Sequence, residues 1–318
     1  MPNTVFAPIE IMVGDIEAVF RTATTGFFLK TPAIDNRSPE FNSHEMEQSS
    51  MKMKENRGFA VVTGASSGIG LELARVFAKN GYDLFVTSED DRLQQVIPDL
   101  EGLGVQVSSV QADLAEYDEV EKLWKAVEAT GRNVDAIAIN AGVGVGGKFA
   151  ETDLEEELNL VQLNVTSSVH LAKRVVQHMV RRGAGKILFT SSIAGTMPTP
   201  LETVYGASKA FLLSFSKSLG YELKENGITV TALQPGPTDT DFFRRAGMED
   251  TKVGSESKYI NDPAEVAQQG FDALMEGKDH IYASSMQTKV QGELGRFVPE
   301  SVKAEMHRKE AEPKSGTR

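Results

Sequence analysis

The segment that most constrains the fold of this chain is an apolar run followed by a glycine-rich turn and an amphipathic helix. Residues 59–63, FAVVT, predict a buried β-strand, and residues 64–70, GASSGIG, place three glycines directly after it. The next residues, LELARVFAKNG, have the apolar spacing of a helix that ends at Gly81. A strand, a glycine-rich turn and a helix in this order form a cradle for the phosphates of a nucleotide.

Each glycine has a steric role in such a cradle. Gly64 permits the tight turn, Gly68 lets the backbone approach a pyrophosphate, and Gly70 permits close packing of the helix on the strand. The spacing is G-x-x-x-G-x-G rather than G-x-G-x-x-G, so the turn predicts nucleotide binding without specifying the nucleotide.

Apolar strands and helices continue to alternate along the chain, which predicts an α/β fold. The long apolar pattern at 153–180 is one helix or two. A helix at 204–224 follows the fifth strand, and Asp262 with Pro263 marks the start of another. The further predicted strands are 83–87, 105–110, 136–139, 186–190, 228–233 and 280–283.

Composition limits the classes of function. The chain has 318 residues, a net charge of −12 and no cysteine. The acidic balance argues against nucleic acid as a partner. The lack of cysteine excludes disulfides, thiolate metal sites and a cysteine nucleophile, and it is compatible with a cytoplasmic location. No uncharged apolar run approaches about 18 residues, so we expect no membrane span.

The two ends of the chain differ from its middle. Residues 1–57 lack a sustained apolar period, and acidic residues interrupt their apolar stretch, which is not typical of a secretory signal. This extension is disordered, packs as an arm on a partner subunit, or precedes a later translation start. We expect the folded domain at 58–290, with residues 241–258 as a mobile lid, and a charged tail at 291–318.

Acidic residues follow the second predicted strand. An acid at this position can accept from a ribose 2′-hydroxyl and would repel a 2′-phosphate. Glu89 and Asp90 therefore favour NAD over NADP, and Arg92 lies too far into the next helix to counter them. The alternative is that these acids cap that helix. Asp113, after the third strand, could likewise bond an adenine or cap a helix.

A second stretch, residues 191–209, carries groups suited to proton transfer. Ser192 follows a predicted strand, Tyr205 comes thirteen residues later, and Lys209 comes four residues after that. In a helix, Tyr205 and Lys209 share one face. A lysine ammonium there favours the phenolate and lowers the tyrosine pKa, and a serine hydroxyl can orient a substrate oxygen. The spacing alone is also common on helix surfaces.

Asn164 lies in the middle of an apolar helical pattern, where asparagine is locally unfavourable. It makes either an internal structural hydrogen bond or a water-holding contact near a reaction site. His170 and His178 are eight residues apart, with no carboxylate or histidine at ligand spacing. We therefore expect both histidines to be structural and predict no metal site.

Together these segments resemble the short-chain dehydrogenase/reductase family over roughly residues 58–285. The resemblance implies a single doubly wound Rossmann domain of the α/β class, with a seven-stranded parallel sheet and helices on both faces. The matching motifs occur in family order: TGASSGIG at 63–70, Asp113-Leu114, Asn140-Ala141-Gly142, Asn164, Ser192, Tyr205-x-x-x-Lys209 and Pro235-Gly236.

The resemblance also implies roles for the matching positions. Tyr205 would be the general acid/base, and Lys209 would lower its pKa and hold the nicotinamide ribose. Ser192 would position the substrate oxygen, and Asn164 would hold a water that links Lys209 to solvent. Together with Tyr205 and Lys209, the residues implied to bind NAD(P)(H) are Gly64, Ser66, Ser67, Gly68, Ile69, Gly70, Glu89, Asp113, Leu114, Asn140, Ala141, Gly142, Pro235, Gly236, Thr238 and Thr240.

Two departures from the family pattern stand out. Ile139 occupies a position where the family commonly has asparagine, which costs only a hydrogen bond in the strand. NADP-type members usually carry an arginine or lysine in the glycine turn or just after the second strand. This chain has Ser67 and Ser88-Glu89 there, which strengthens the expectation of NAD(H).

The resulting hypothesis is an NAD(P)-dependent oxidoreductase that interconverts a small-molecule ketone and a secondary alcohol. The resemblance implies a homodimer or homotetramer formed through the helices at 153–180 and 204–224. One alternative is a nucleotide-sensing regulatory protein without turnover, which would not need Tyr205 with Lys209. Another is an epimerase or dehydratase of the same fold, for which the segment after Thr240 leaves little room.

Overall fold

The computed structural model describes residues 57–255, 260–283 and 298–315. In these residues seven strands form one parallel sheet in the order β3-β2-β1-β4-β5-β6-β7. The predicted seven-stranded parallel sheet is confirmed. The strands are β1 (Phe59–Thr63), β2 (Asp83–Ser88), β3 (Val107–Gln111), β4 (Ala136–Ile139), β5 (Gly185–Thr190), β6 (Ile228–Pro235) and β7 (His280–Ala283).

Helices connect the strands and continue beyond the last one. The first nine lie between successive strands, with two of them between β4 and β5 and three between β6 and β7, and the tenth follows β7. The helices are α1 (Gly68–Lys79), α2 (Arg92–Glu101), α3 (Tyr117–Ala129), α4 (Leu154–Val161), α5 (Ser167–Arg182), α6 (Thr203–Leu223), α7 (Phe242–Arg245), α8 (Lys252–Ser255), α9 (Pro263–Met275) and α10 (Glu300–Ala311).

The core has two apolar layers, one on each side of the sheet. Because side chains alternate along a strand, neighbouring residues of β1 enter different layers. Val61 packs with Trp124 of α3 in one layer, and Val62 packs with Leu73 of α1 in the other. Burial on both faces explains why the central strands β1 and β4 read as nearly continuous apolar runs rather than alternating ones.

The long apolar pattern at 153–180 forms two helices separated by a π-helical turn, Gln162–Thr166. Asn164, the asparagine that is locally unfavourable in an α-helix, lies within this turn. A π-helical turn has a wider helical backbone than an α-helix and frequently occurs at functional sites. The third strand begins at Val107 rather than Val105, and just before it the Gln106 N–H donates to Asp83 Oδ1 at 2.8 Å.

Several predicted segments lie outside the described residues. They are the extension up to residue 56, the last part of the lid at 256–258, residues 284–290 of the predicted domain, and residues 291–297 and 316–318 of the tail. Within the part of the chain that the structure describes, no helix is long and apolar enough to span a membrane.

Candidate active site

A cleft lies at the carboxyl ends of the central strands, where ligands of open α/β sheets bind. It brings together the glycine-rich turn after β1, the ends of β4, β5 and β6, and the first turns of α6. The predicted site residues that line it are Gly64, Ser66, Ser67, Gly68, Ile69, Gly70, Glu89, Leu114, Asn140, Ala141, Gly142, Ser192, Tyr205, Lys209, Pro235, Gly236, Thr238 and Thr240.

The glycine-rich turn is shaped as a cradle that side chains would fill. A Cβ on Gly70 would lie 2.0 Å from the carbonyl oxygen of Gly64, and a Cβ on Gly68 would lie 2.8 Å from Thr240 Cγ2. Ser67 precedes α1 and makes no side-chain capping bond to its first turn. The amide groups of that turn remain available to an anion, so the residues present fit a dinucleotide pyrophosphate.

Asn140 fixes the neighbouring strand ends to one another. Its side-chain amide donates to Thr63 O at 3.1 Å, and its Oδ1 accepts from Thr190 Oγ1 at 3.0 Å. Its backbone N–H donates to Thr63 Oγ1 at 2.9 Å. These bonds join the ends of β1, β4 and β5, which leaves Ala141 and Gly142 as a small-residue floor for a flat ring.

The end of the cleft near β2 contains charges of both signs. Glu89 lines the cleft as predicted, but it forms an ion pair with Arg245 of α7, which also lines the cleft. Arg92 bonds Asp90 at 2.8 Å and Asp241 at 2.5 Å and is not among the lining residues. Arg245 therefore places a positive charge beside Glu89 that the residues after β2 do not indicate by themselves.

Three side chains of the proton-transfer set meet in the middle of the cleft. Ser192 follows β5 and accepts from the Ala194 N–H at 3.1 Å. Tyr205 and Lys209 extend from the first turns of α6, and Lys209 Nζ lies 5.6 Å from the centre of the Tyr205 ring. Lys209 Nζ donates to Thr190 O at 2.9 Å, which fixes the ammonium at the end of β5.

Burial opposes charge on both titratable groups of this set. It raises the pKa of the Tyr205 phenol, and the negative charge of Glu202 raises it further, whereas a hydrogen bond with Ser192 lowers it. Burial lowers the pKa of Lys209 to about 8. The phenol is therefore protonated near neutral pH in the protein alone, and it can donate a proton to a nearby oxygen.

The low pKa of Lys209 predicts a pH dependence of stability. The folded pKa of about 8 lies below the ordinary 10.5, so between these values the unfolded chain binds more protons and stability rises with pH. From pH 7 to 10.5, the free energy of unfolding should rise by about 3 kcal/mol more in the wild type than in Lys209→Met. Urea unfolding across this range measures it, and parallel profiles of the two proteins would contradict the assignment.

Two predicted site residues lie outside the lining of the cleft. Asn164 is fully buried. Its Oδ1 accepts from the Val143 N–H, and its Nδ2 donates to Val143 O and to Ser208 Oγ. This is the internal structural role that the sequence left open as an alternative. Asp113 is exposed, and its carboxylate accepts from the Ala115 N–H at 2.9 Å, which is a local turn bond.

The structure adds lining residues that the sequence did not single out. Glu202 lies just before α6, and Met306, His307 and Glu310 of α10 reach the cleft from the predicted tail. In α10 the residues at helical spacing on one face are Ala304, His307 and Ala311. This set is too short and too polar to predict a buried helix face.

The predicted lid contributes apolar walls. Phe242 and Phe243 line the cleft, and the Phe242 ring centre lies 5.0 Å from that of Tyr205. Met248 packs in a small apolar cluster with Phe243, Ala246 and Val253.

The sequence profile of the short chain dehydrogenase family matches residues 58–250. The oxidoreductase UcpA of Salmonella typhimurium is 30% identical over 255 residues, which cover 76% of this chain and 95% of that protein. A short-chain dehydrogenase from Sphingobium yanoikuyae, solved with NADPH, has a TM-score of 0.65 and 31% identity over 70% of this chain and 86% of its own. A bulky-bulky ketone specific alcohol dehydrogenase from Comamonas testosteroni has a TM-score of 0.65 and 26% identity, and the match covers 76% of this chain and 93% of that enzyme. The chain belongs to the short-chain dehydrogenase family.

Proposed function

We propose that this protein is an oxidoreductase that uses NAD(P)(H) to interconvert a ketone and a secondary alcohol. The observation that carries the proposal is the meeting of Ser192, Tyr205 and Lys209 in the same cleft as the glycine-rich phosphate cradle. The NADPH complex of the Sphingobium dehydrogenase and the ketone specificity named for the Comamonas enzyme support it. When bound, the cofactor supplies or removes a hydride at the substrate carbon.

The residues of this chain then handle the substrate oxygen. The Ser192 hydroxyl donates to it and stabilises the charge that develops there. Tyr205, protonated near neutral pH, gives its proton to the same oxygen in the reduction direction. The Lys209 ammonium, held by Thr190 O, favours the phenolate that remains. In the oxidation direction the same groups act in reverse.

Asn164 has a supporting role in this arrangement. Asn164 acts by bonding Val143 and Ser208, which fixes the loop after β4 and the turn of α6 that carries Lys209. The water-holding role that the family resemblance implies for Asn164 stays a prediction.

We propose further that Glu89 reads the ribose 2′-hydroxyl and gives a preference for NAD(H). Full-length protein should bind NADH at least tenfold more tightly than NADPH in a titration of nicotinamide fluorescence. Glu89→Gln should reduce that ratio, because the amide no longer repels a 2′-phosphate. Tighter binding of NADPH by the wild type would contradict the preference and would assign the 2′-phosphate to Arg245, which pairs with Glu89 in this structure.

We propose a homo-oligomer formed through the helices at 153–180 and 204–224, which are α4, α5 and α6. Large apolar or aromatic side chains are exposed there: Leu154 is 68% exposed, Leu158 55% and Tyr221 86%. A contiguous exposed patch of such residues would be typical of a protein–protein interface. Light scattering with size-exclusion chromatography should give a dimer or tetramer mass, and a monomer at micromolar concentration would contradict the proposal.

A further inference from the structure

The helix α10 forms one wall of the cleft and packs on the predicted lid segment. Its last residue, Ala311, is 3% exposed and packs with Phe243 and Val253 of the lid segment. Just beyond the helix, Pro313 pairs with Thr251 in an isolated β-bridge. Contacts on the helix and after it hold α10 in place, so the side chains that it directs into the cleft have defined positions.

One of these side chains, His307, contacts the buried carboxylate of Glu202 just before α6. His307 Nε2 lies 3.0 Å from Glu202 Oε2, and the two side chains are 11% and 6% exposed. Glu202 lies three residues before Tyr205, and both Glu202 and His307 line the cleft. The pair therefore lies in the part of the cleft where a substrate bound to Tyr205 would extend.

The hydrogen bonding of this pair is incomplete. Despite the short separation, His307 Nε2 has no hydrogen-bond partner of suitable geometry within residues 57–255, 260–283 and 298–315. Buried polar groups are nearly always hydrogen-bonded, by protein, by water or by a ligand. A buried hydrogen-bond donor beside a buried acceptor in a cleft suits a ligand group that can both accept and donate a hydrogen bond.

The chemistry of the pair selects among polar substituents. A hydroxyl can donate to the Glu202 carboxylate and accept from an imidazole N–H at the same time. An ammonium has no acceptor for His307, and a carboxylate has no donor for Glu202. A carboxylate would also meet the like charges of Glu202 and Glu310, and Glu310 lines the same wall.

Apart from the Glu310 carboxylate, the cleft lining near the pair includes large apolar side chains. Phe242, Phe243 and Met306 line the cleft on this side. In an apolar site, one polar pair fixes orientation and supplies specificity, and the apolar contacts supply most of the binding.

We propose that Glu202 and His307 form the recognition site for a neutral hydroxyl group on an otherwise apolar substrate, so that the protein acts on hydroxylated ketones and the corresponding diols. The inference rests on the proposed oxidoreductase function, and it names the substrate class of the same site. Glu202 and His307 act in specificity, and Ser192 and Tyr205 act on the reacting oxygen.

The test compares ketones that differ in one substituent. Full-length protein with reduced cofactor is assayed on 4-phenylbutan-2-one, on its three ring-hydroxylated isomers and on the three ring-carboxylated analogues. We expect at least one hydroxylated isomer to have kcat/KM at least tenfold above that of the parent, and the carboxylates to have values below it. In Glu202→Gln and His307→Leu, the ratio of hydroxylated to parent kcat/KM should fall at least fivefold.

A matched control lies on the same helix. Lys309 of α10 is 64% exposed and pairs with Glu305, so Lys309→Ala should leave the ratio as in the wild type. Ratios near one for all hydroxylated isomers in the wild type, or ratios unchanged in both variants, would overturn the inference while ketone reduction itself stands. Binding of the cofactor without reduction of any of these ketones would overturn the proposed function and this inference with it.

Discussion

Tyr205→Phe should lower kcat for ketone reduction about a thousandfold, which is the size of a general acid contribution. The variant removes one hydroxyl and keeps the ring that packs 5.0 Å from Phe242, centre to centre. The cradle after β1 does not involve this hydroxyl, so NAD(P)H should bind within about threefold of the wild-type Kd. Steady-state assays of cofactor oxidation and fluorescence titrations measure the two quantities separately.

The control for this variant is Tyr221→Phe. Tyr221 lies on the same helix, α6, but is 86% exposed and far along the helix from the cleft. Its hydroxyl should be without effect on turnover. Equal rates for Tyr205→Phe and the wild type would remove Tyr205 from the chemistry, and a loss of cofactor binding in Tyr205→Phe would show that the substitution disturbs the cleft instead.

Gly70→Ala should destabilise the fold by about 3 kcal/mol, which is typical of overpacking against atoms that cannot move. The added Cβ would lie 2.0 Å from Gly64 O and 2.5 Å from Asn140 Nδ2. To relieve these contacts, α1 must shift away from the end of β1, which opens the phosphate cradle. NAD(P)H affinity should therefore fall at least tenfold. Urea unfolding and a cofactor titration on the same preparation measure both effects.

Gly220→Ala is the matched control for a glycine inside a helix. A Cβ there would lie 3.4 Å from Val230 Cβ, which is ordinary contact, so the alanine should stabilise α6 by roughly 0.5 to 1 kcal/mol. If both alanine variants change stability in the same direction, the close approach at Gly70 is not the cause of its effect.

The sequence predicted the sheet and the middle of the cleft well because both depend on local patterns. The turn at 64–70 and the pair Tyr205 and Lys209 owe their positions to a strand, a turn and a helix that are contiguous in sequence. The strand ends then meet at one edge of the sheet, because all seven strands are parallel. These rules place most of the predicted site residues in one cleft.

The parts that the sequence did not reveal depend on contacts between distant segments. Arg245 reaches Glu89 across 156 positions, and no pattern near either residue predicts the pair. His307 reaches Glu202 from a helix whose polar composition gave no signal of burial. Asn164 shows a different limit. An asparagine is locally unfavourable there, which predicted a special role, but the sequence did not reveal its partners, Val143 and Ser208.

The most direct test of the account follows the hydride itself. Wild-type protein is incubated with a ketone and with NADH or NADPH that carries deuterium at both C4 positions, and the alcohol product is examined by mass spectrometry. We expect one deuterium on the former carbonyl carbon for each cofactor oxidised, and loss of this product in Tyr205→Phe. A protein that binds the cofactor but transfers no deuterium to any ketone would contradict the account and would favour the nucleotide-sensing alternative.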